Sequence, residues 1–532
     1  MSREIFQFVQ RPKMRRSRID LSYQNAFTCK LGELIPCYFE EVLPTDSAIF
    51  SAAPFIRASP LSAPIMGQID VRMYYFYVPF NIIWTDFEEF ITGGRDGLSS
   101  PVVPYLSAAV GAPFNGSGRN TLYDFFRLAR TEWSSNRKQL HWNPQVSALL
   151  IRAYWKIYDD YFRDQNLSPS YFDTSQTNYI STGSGAISSL PGFNHQINGQ
   201  YILEVASKCW DKDLFTSALP FAQRGAPVSI PVGDGEVFYR TSPDGPDNEF
   251  TLQVDATGKV QDEQVSGVGM GTGRLYSSST GLQSFNINDL REASAIQRFL
   301  EFNAIGGSRY KEQVAMHFGG RVADYRLNRP EFICGMKTSV LSSQVLQQSQ
   351  TNTDSVLGTQ GGNLNASGVI KPRKFRFEEH GVVIGLMAIT PKSSYSQGIS
   401  RMNLKFDKFD YFFPYFENLG EQEIYNAELF AQGTPADMKQ FGYGPRFYEY
   451  KHRENEVHGD FKDSLSYWLP QRKFSSLPGL NPDFIEINPA KEQSLNNIFA
   501  VTDSTQDQFY CVVQNVAKFV RPMSKYSKFL LR

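Results

Sequence analysis

The run "IDVRMYYFYVP" (residues 69–79) is built of β-branched and aromatic residues, the types that favour a pleated backbone. Successive side chains of a strand point to opposite faces, so Tyr74, Phe76 and Val78 share one face and Met73, Tyr75 and Tyr77 share the other. Both faces are apolar. Such a strand is covered on both sides, which places it in the middle of a layered β protein and not at a wetted surface. Pro79 closes it, because proline cannot donate to a ladder. "GELIPCYFEEVLP" (32–44) is a second β-rich run stopped by proline, and β-runs return at 377–390 and 408–414. The chain reads as mainly β.

At 532 residues it is several times the usual domain length, so it holds either several domains or one domain with long insertions. An aromatic content of 14%, with 42 Phe and 27 Tyr, points to a β-rich protein with much contact surface, since both residues form strands and Tyr is enriched at interfaces. Helical spacing is confined to three places. In "PQVSALLIRAYWKIYDDYFRDQ" (144–165), Leu150, Tyr154, Ile157 and Tyr161 recur at steps of three and four. In "NINDLREASAIQRFLEF" (286–302), Asn288 reads as the N-cap and Leu290, Ala293, Ile296 and Leu300 as an apolar stripe. "GSRYKEQVAMHFGG" (307–320) reads as a short third helix ended by glycine. The polar tracts 166–204, 233–284 and 343–368 hold little that forms a core and read as loops or extended segments.

Net charge is −1, but its distribution is uneven. Arg11, Lys13, Arg15, Arg16 and Arg18 form one cationic run, and Lys518, Arg521, Lys525, Lys528 and Arg532 another, interleaved with Phe519, Tyr526 and Phe529. With those ten set aside from the 53 basic residues, the body is net acidic against 54 carboxylates. An acidic body with two basic ends invites a polyanion at the ends. The five cysteines are scattered without zinc spacing, which argues against a disulfide scaffold and for a reducing compartment during folding. "VVIGLMAI" (382–389) is the longest apolar run, too short to span a bilayer, and "MSREIFQFVQRPKMRR" lacks a signal-peptide core; a soluble protein made in a cytoplasm is expected.

No P-loop, nucleophile elbow, HExxH or EF-hand loop is present. "GVGMGTG" (267–273) fails the GxGxxG spacing and reads as a flexible tip, and "FEEHG" (377–381) lacks a third ligand on the right face for a metal. No catalytic residue, metal site or cofactor is expected. The one concentration of acids is "FDKFDYFFPYFENLGEQE" (406–423), with Asp407, Asp410, Glu417, Glu421 and Glu423 among seven rings. Its alternation at Phe409, Tyr411 and Phe413 predicts a strand with one apolar face, ended by Pro414. Acid/base chemistry needs two carboxylates whose environments push their pKa values apart. Aromatic anchors beside charges are what subunit interfaces use. The second reading is preferred: Tyr411, Phe413, Tyr415, Phe416, Glu417 and Glu421 are the candidate intersubunit contacts.

Several motifs, in order, resemble the major capsid proteins of microviruses, the small tailless single-stranded-DNA bacteriophages, and the gokushovirus branch in particular. They are "LGELIPCYFEEVLPTDSAIF" (31–50), "VPFNIIWTDFEEF" (78–90), "RAYWKIYDDYFRDQNL" (152–167) and "DLFTSALPFAQRG" (213–225), then "GSRYKEQVAMHFG" (307–319), "RLNRPEFICG" (326–335), "EEHGVVIGLMAI" (378–389) and "YFFPYFENLGEQEIYNAELFAQG" (411–433). The resemblance covers most of residues 20–450 and weakens in the polar tracts and after about 455.

It implies a single eight-stranded antiparallel jelly roll over 20–532, following a basic N-terminal arm at 1–19. Insertions are expected at about 91–225 (helical and loop), 226–285 (a threefold protrusion loop), 286–320 (helical) and 336–370 (a polar loop), with a basic C-terminal tail at 518–532. It further implies self-assembly into a T=1 icosahedral capsid around a circular single-stranded DNA genome, with fivefold, threefold and twofold contacts between copies. A small internal or scaffolding protein and a host surface receptor are further implied partners, with no membrane insertion, a place in the virion, and assembly in the host bacterial cytoplasm. Host contact falls to the protrusion, where Gly267, Gly269, Met270, Gly271, Arg274 and Tyr276 are the candidates. Arg11, Lys13, Arg15, Arg16, Arg18, Lys518, Arg521, Lys525, Lys528 and Arg532 would neutralise phosphates inside, with Phe519, Tyr526 and Phe529 offered to unpaired bases.

Two rivals stand beside this reading. A carbohydrate-binding jelly roll, lectin or glycan hydrolase, would need an aromatic platform and two convergent carboxylates, for which Asp407/Asp410 with Glu421/Glu423 is the best pair. A soluble single-stranded-DNA-binding protein would line a groove with its cations, whereas here they gather at the ends of an acidic body.

Overall fold

The computed structural model describes residues 15–107, 120–128, 130–134, 137–141, 145–172, 196–197, 200–201, 204–226, 228, 237–240, 274–277, 287–307, 309–346, 360–501, 503 and 506–525. Two compact units emerge, Met1–Pro220 with Gly307–Arg532, and Phe221–Gly306.

The first unit is built on eleven strands: β1 (Ser17–Asp20), β2 (Tyr23–Cys29), β3 (Ile35–Val42), β4 (Ser47–Ala58), β5 (Ile69–Pro79), β6 (Glu331–Ser339), β7 (Leu341–Leu346), β8 (Gln360–Ser367), β9 (Arg373–Arg376), β10 (Gly381–Pro391) and β11 (Phe509–Arg521). One antiparallel sheet has the order β6-β5-β10-β3. The other has the order β1-β11-β4-β8-β7, with β2 also on β11 and β9 also on β4. The fold is mainly β, an antiparallel jelly roll of the viral-capsid kind, with four strands in one layer and seven in the other. Neighbouring strands are often remote in sequence: β11 pairs along its length with β4, Lys518 opposite Ile49.

β5 is buried on both faces, as its composition requires. Met73, Tyr75 and Tyr77 face the space between the sheets. There Tyr75 packs with Tyr38 (ring centroids 5.7 Å apart) and Phe50 (6.2 Å), and Phe50 meets Phe519 edge-on at 5.7 Å. The buried Tyr75 hydroxyl donates to Asn515 Oδ1 (2.6 Å), and Asn515 Nδ2 donates to the Cys37 carbonyl (3.1 Å), so a polar chain is satisfied across the core. β10 runs between β5 and β3 and is wholly buried. Gly385 is required there, because a Cβ would sit 2.9 Å from atoms of both Tyr38 and Tyr75.

The other face of β5, with Phe76 and Val78, lies under α1 (Leu149–Ile157), whose Ile151, Tyr154 and Trp155 are fully buried. The Tyr154 hydroxyl donates to the Leu34 carbonyl (2.9 Å), tying the helix to the chain just before β3. The helical pattern was expected from 144, but Gln145–Ser147 instead pairs with Tyr105–Ser107, and the helix begins where that ribbon ends. A third apolar cluster gathers Phe215, Tyr395, Ile424, Leu429, Phe441 and Phe484. Beside it the fully buried Arg472 guanidinium lies 4.3 Å from the Phe484 ring and 4.8 Å from that of Trp210, and pairs with Glu492.

Helix α3 (Tyr310–Phe318) ends at Gly319, whose φ of 64° is the left-handed cap expected from the sequence. In the second unit, α2 (Ile287–Gly306) starts at Ile287, so Asn288 lies inside the helix and is not its cap. The expected stripe is not a buried one, since Leu290 and Ile296 are about half exposed. Arg274–Ser277 pairs there with Val237–Arg240, Tyr276 opposite Phe238 and Arg274 opposite Arg240. The tract expected as a polar loop at 336–370 carries strands in its described part: β7 and β8 form a hairpin that extends the seven-stranded sheet.

Candidate assembly and nucleic-acid surfaces

The stretch 406–423 is not a strand. Its described backbone folds into two short turns, Lys408–Asp410 and Pro414–Phe416, with no ladder partner until Gln422–Tyr425. The cause is local. Asp410 accepts the amides of Phe406 (2.9 Å) and Asp407 (2.8 Å), and Asp407 accepts that of Lys408 (2.6 Å), so side chains take the donors that a strand would have given to a neighbour. The amide of Asp407, with that of Phe406, holds the Asp410 carboxyl below its ordinary value.

Freed from a sheet, the rings stand in solvent. Tyr415 is 90% exposed and Phe406 83%, with Phe409, Tyr411, Phe412 and Phe413 near half. Phe409 and Phe416 meet edge-on at 5.8 Å, as do Phe413 and Phe416 at 6.3 Å, so the rings form a ledge. Lys405, paired with Glu449 at 2.6 Å, lies 5.4 Å from the Tyr411 ring centre. Of the sequence candidates, Tyr411, Phe413 and Tyr415 are exposed, Glu417 is exposed, and Phe416 and Glu421 are half-buried. Phe406 and Leu419 are exposed in the same segment and were missed, because both lie outside the strand expected at 408–414.

The acids converge in part. Asp410, Glu421 and Glu423 line a hollow of about 310 Å³ with Arg401 and Arg446. Arg401 lies 4.3 Å from the Tyr425 ring centre and donates to Glu428 (3.0 Å) and to the Glu423 carbonyl (3.3 Å). Asp407 and Asp410 are engaged as caps of their own turn, and the Asp410 carboxyl is held low where a general acid needs raising.

The second surface lies at one corner of the seven-stranded sheet. β1 pairs with the end of β11, Ser17 opposite Arg521 and Asp20 opposite Lys518. The pairing is antiparallel, so the chain before Ser17 and the chain after Arg521 leave the sheet side by side. Arg15, Arg16, Arg18, Lys518 and Lys525 are exposed there. Arg11, Lys13, Tyr526, Lys528, Phe529 and Arg532 lie outside the described residues, as do Gly267, Gly269, Met270 and Gly271.

Two sequence assignments at this corner need correction. Phe519, offered as a stacking surface for bases, is buried in the core, because β11 runs on to Arg521 and odd-numbered residues along it face inward. Arg521, offered to phosphates, donates to the Glu41 carbonyl (2.6 Å) and to Glu40 (3.2 Å), lies 3.2 Å from Asp46, and packs 4.5 Å from the Phe519 ring. The start of the expected tail at 518–532 is thus framework. One basic run was overlooked: "KPRKFR" (371–376), four cations in six positions, which includes all of β9.

"FEEHG" makes framework contacts. The Glu379 carbonyl accepts from the Tyr77 hydroxyl (2.9 Å), its carboxylate accepts from Asn81 (2.7 Å), and the His380 carbonyl accepts from the Phe80 amide (3.0 Å). Among the described residues no group of three His, Cys, Asp or Glu side chains could hold a metal ion, and no helix is long and apolar enough to cross a membrane.

Comparison with known proteins settles the class. Residues 8–531 match the family described as "Capsid protein (F protein)" of phages. The chain is 32% identical over 505 residues to "Capsid protein VP1" of Bdellovibrio phage phiMH2K, covering 90% of this chain and 89% of that one. It is 31% identical to the protein of the same name from Chlamydia phage 1, covering 97% and 95%, and 29% identical to that of Spiroplasma virus 4, covering 88% and 87%. These relatives are named as capsid proteins, a structural and non-enzymatic kind, and an antiparallel jelly roll with an exposed aromatic ledge fits their company. The chain belongs to the phage capsid protein (F protein) family and is a component of a virion.

Proposed function

We propose that copies of this chain close into a T=1 icosahedral shell around a circular single-stranded DNA genome. The observation that carries this reading is the ledge at 406–419. A monomeric protein rarely exposes so many contiguous rings, and such patches mark interaction sites. In a shell the rings would seat against a neighbouring copy, with Glu417 and Glu421 at the rim. Closure needs heterologous contacts repeated at fixed angles, and a compact sandwich with a projecting ledge meets that need. The proposed DNA contact runs through Arg15, Arg16, Arg18, Lys518 and Lys525 together with the tail cations Arg11, Lys13, Lys528 and Arg532, and is independent of sequence. The polar segment 226–285, with Arg274 and Tyr276, is assigned to a protrusion that meets the host. Assembly takes place in the host bacterial cytoplasm, with or without a small scaffolding partner.

The test is negative-stain microscopy of the purified full-length protein, with sizing at moderate and low salt. Uniform small shells are expected. A persistent monomer under both conditions, even with added single-stranded DNA, would overturn self-sufficient assembly.

A further inference from the structure

We infer that β9 is part of the nucleic-acid surface: Lys374 and Arg376, with Arg18 and Lys518, form one cationic platform for single-stranded DNA on the outer face of the seven-stranded sheet. The inference rests on the proposed role of the tails, and deepens it by placing a basic element remote in sequence on the ordered framework itself.

The register gives the platform. Across the sheet one row reads Arg18, Val520, Ser47, Arg376, and the next reads Asp20, Lys518, Ile49, Lys374. Cross-strand partners point to the same side. The positions between these rows, Ala48 and Phe519, are buried in the core and Phe375 packs against it, so both rows face outward. All four cations are exposed. Adjacent strands lie about 4.8 Å apart and alternate residues about 7 Å, so the platform is about 14 Å wide and two rows deep. Its one carboxylate, Asp20, accepts from the Ser22 amide (3.0 Å), and hydrogen bonding to Ser22 holds it below its ordinary value, so it stays charged; three net positive charges remain.

The same face continues to exposed rings. Phe55 and Tyr510, 46% and 51% exposed, point outward with Ile49 and Lys518 and lie about 20–27 Å further along β4 and β11. Arg57 sits 5.2 Å from the Phe55 ring centre. Cations that track a backbone beside rings that accept unpaired bases are the parts of a sequence-tolerant single-strand site. These two rings take the place of Phe519. The same corner carries the exposed Arg15 and Arg16, just before β1, and Lys525, just after β11.

The test measures binding of the purified full-length protein to a fluorescent thirty-residue oligothymidylate over a series of NaCl concentrations. For the double variant K374Q/R376Q, affinity should fall about tenfold at moderate salt. The slope of log affinity against log salt should shrink by about 1.4, at roughly 0.7 for each phosphate no longer neutralised. The charge-preserving K374R/R376K should stay within about twofold of the parent. If the double variant loses its melting transition, the single variant K374Q decides the matter, with an expected slope change of about 0.7. Unchanged affinity and slope in the glutamine variants, alongside loss of binding on deleting residues 1–16, would overturn the platform and leave the tail reading intact. No binding by the parent protein would overturn both. Equal binding of a polyglutamate of matched charge would overturn the assignment to nucleic acid.

Discussion

Two segments of this protein are rich in aromatic rings and meet opposite fates. In β5, Tyr74, Tyr75, Phe76 and Tyr77 are packed on both faces between cores. At 406–416, Phe406, Phe409, Tyr411, Phe412, Phe413 and Tyr415 stand in water. Hydrophobicity does not separate them; backbone partners do. β5 has a ladder on each side, to β6 and β10, which fixes where each ring points. The ledge gives its amides to its own aspartates and so has no register to hide its rings. Rings without a ladder remain available for another chain.

The comparison can be broken or sharpened by substitution, beginning with the core. Tyr75→Ala removes a ring packed against Tyr38 and Phe50 and leaves Asn515 short of a donor; a loss of about 3–5 kcal/mol is expected, read as insoluble or unfolded subunit in thermal melts. Arg472→Ala should cost a similar or slightly smaller amount, about 3–4 kcal/mol, since it strands the half-buried Glu492 carboxylate. Retained melting behaviour in either variant would show that the interior is less tightly specified than its packing suggests.

A smaller effect is expected at Glu486, whose carboxyl burial pushes up to about 7 from 4.5. Its folded pKa lies above its unfolded one. The protonated form therefore supports folding below about pH 4.5, and that support is lost as pH rises towards 7. Glu486→Gln should flatten the pH dependence of melting between pH 5 and 8 and gain on the order of 1 kcal/mol at pH 8, allowing for solvent access. The least effect on the subunit belongs to the ledge. Phe406→Ser with Tyr415→Ser should change melting by under about 0.5 kcal/mol, yet prevent shells in negative stain. If that variant instead unfolds, the ledge is core and the contrast with β5 fails.

Much of the framework was legible in the sequence. β5, β3, β10, the core of α1 and the end of α3 followed from two-sided apolar runs, proline stops, helical spacing and a glycine cap. The ledge was misread because alternation is necessary for a strand but not sufficient; nothing in "FDKFDYFFPYF" says that a partner is missing. Phe519 was misread because "VVQNVAKFVR" is apolar at both parities, and only pairing with β4 tells which parity faces in. "KPRKFR" was visible as four charges in six residues, but its nearness to the termini exists only through the sheet. Asp407 and Asp410 were legible as acids, and their capping role depends on backbone geometry that spacing does not carry.

β11 sits in the middle of its sheet, between β4 and the two strands nearest the start of the chain, yet its partners lie more than 400 residues before it. The sandwich therefore cannot close while the intervening chain is still being made. Until then β4 presents an unpaired edge and half the core lacks its second wall, a state both slow to leave and prone to wrong pairing. The order of synthesis thus acts as a clock. β1 takes its place only once β11 is in the sheet, so the two basic ends are brought together by the same late event that completes the subunit.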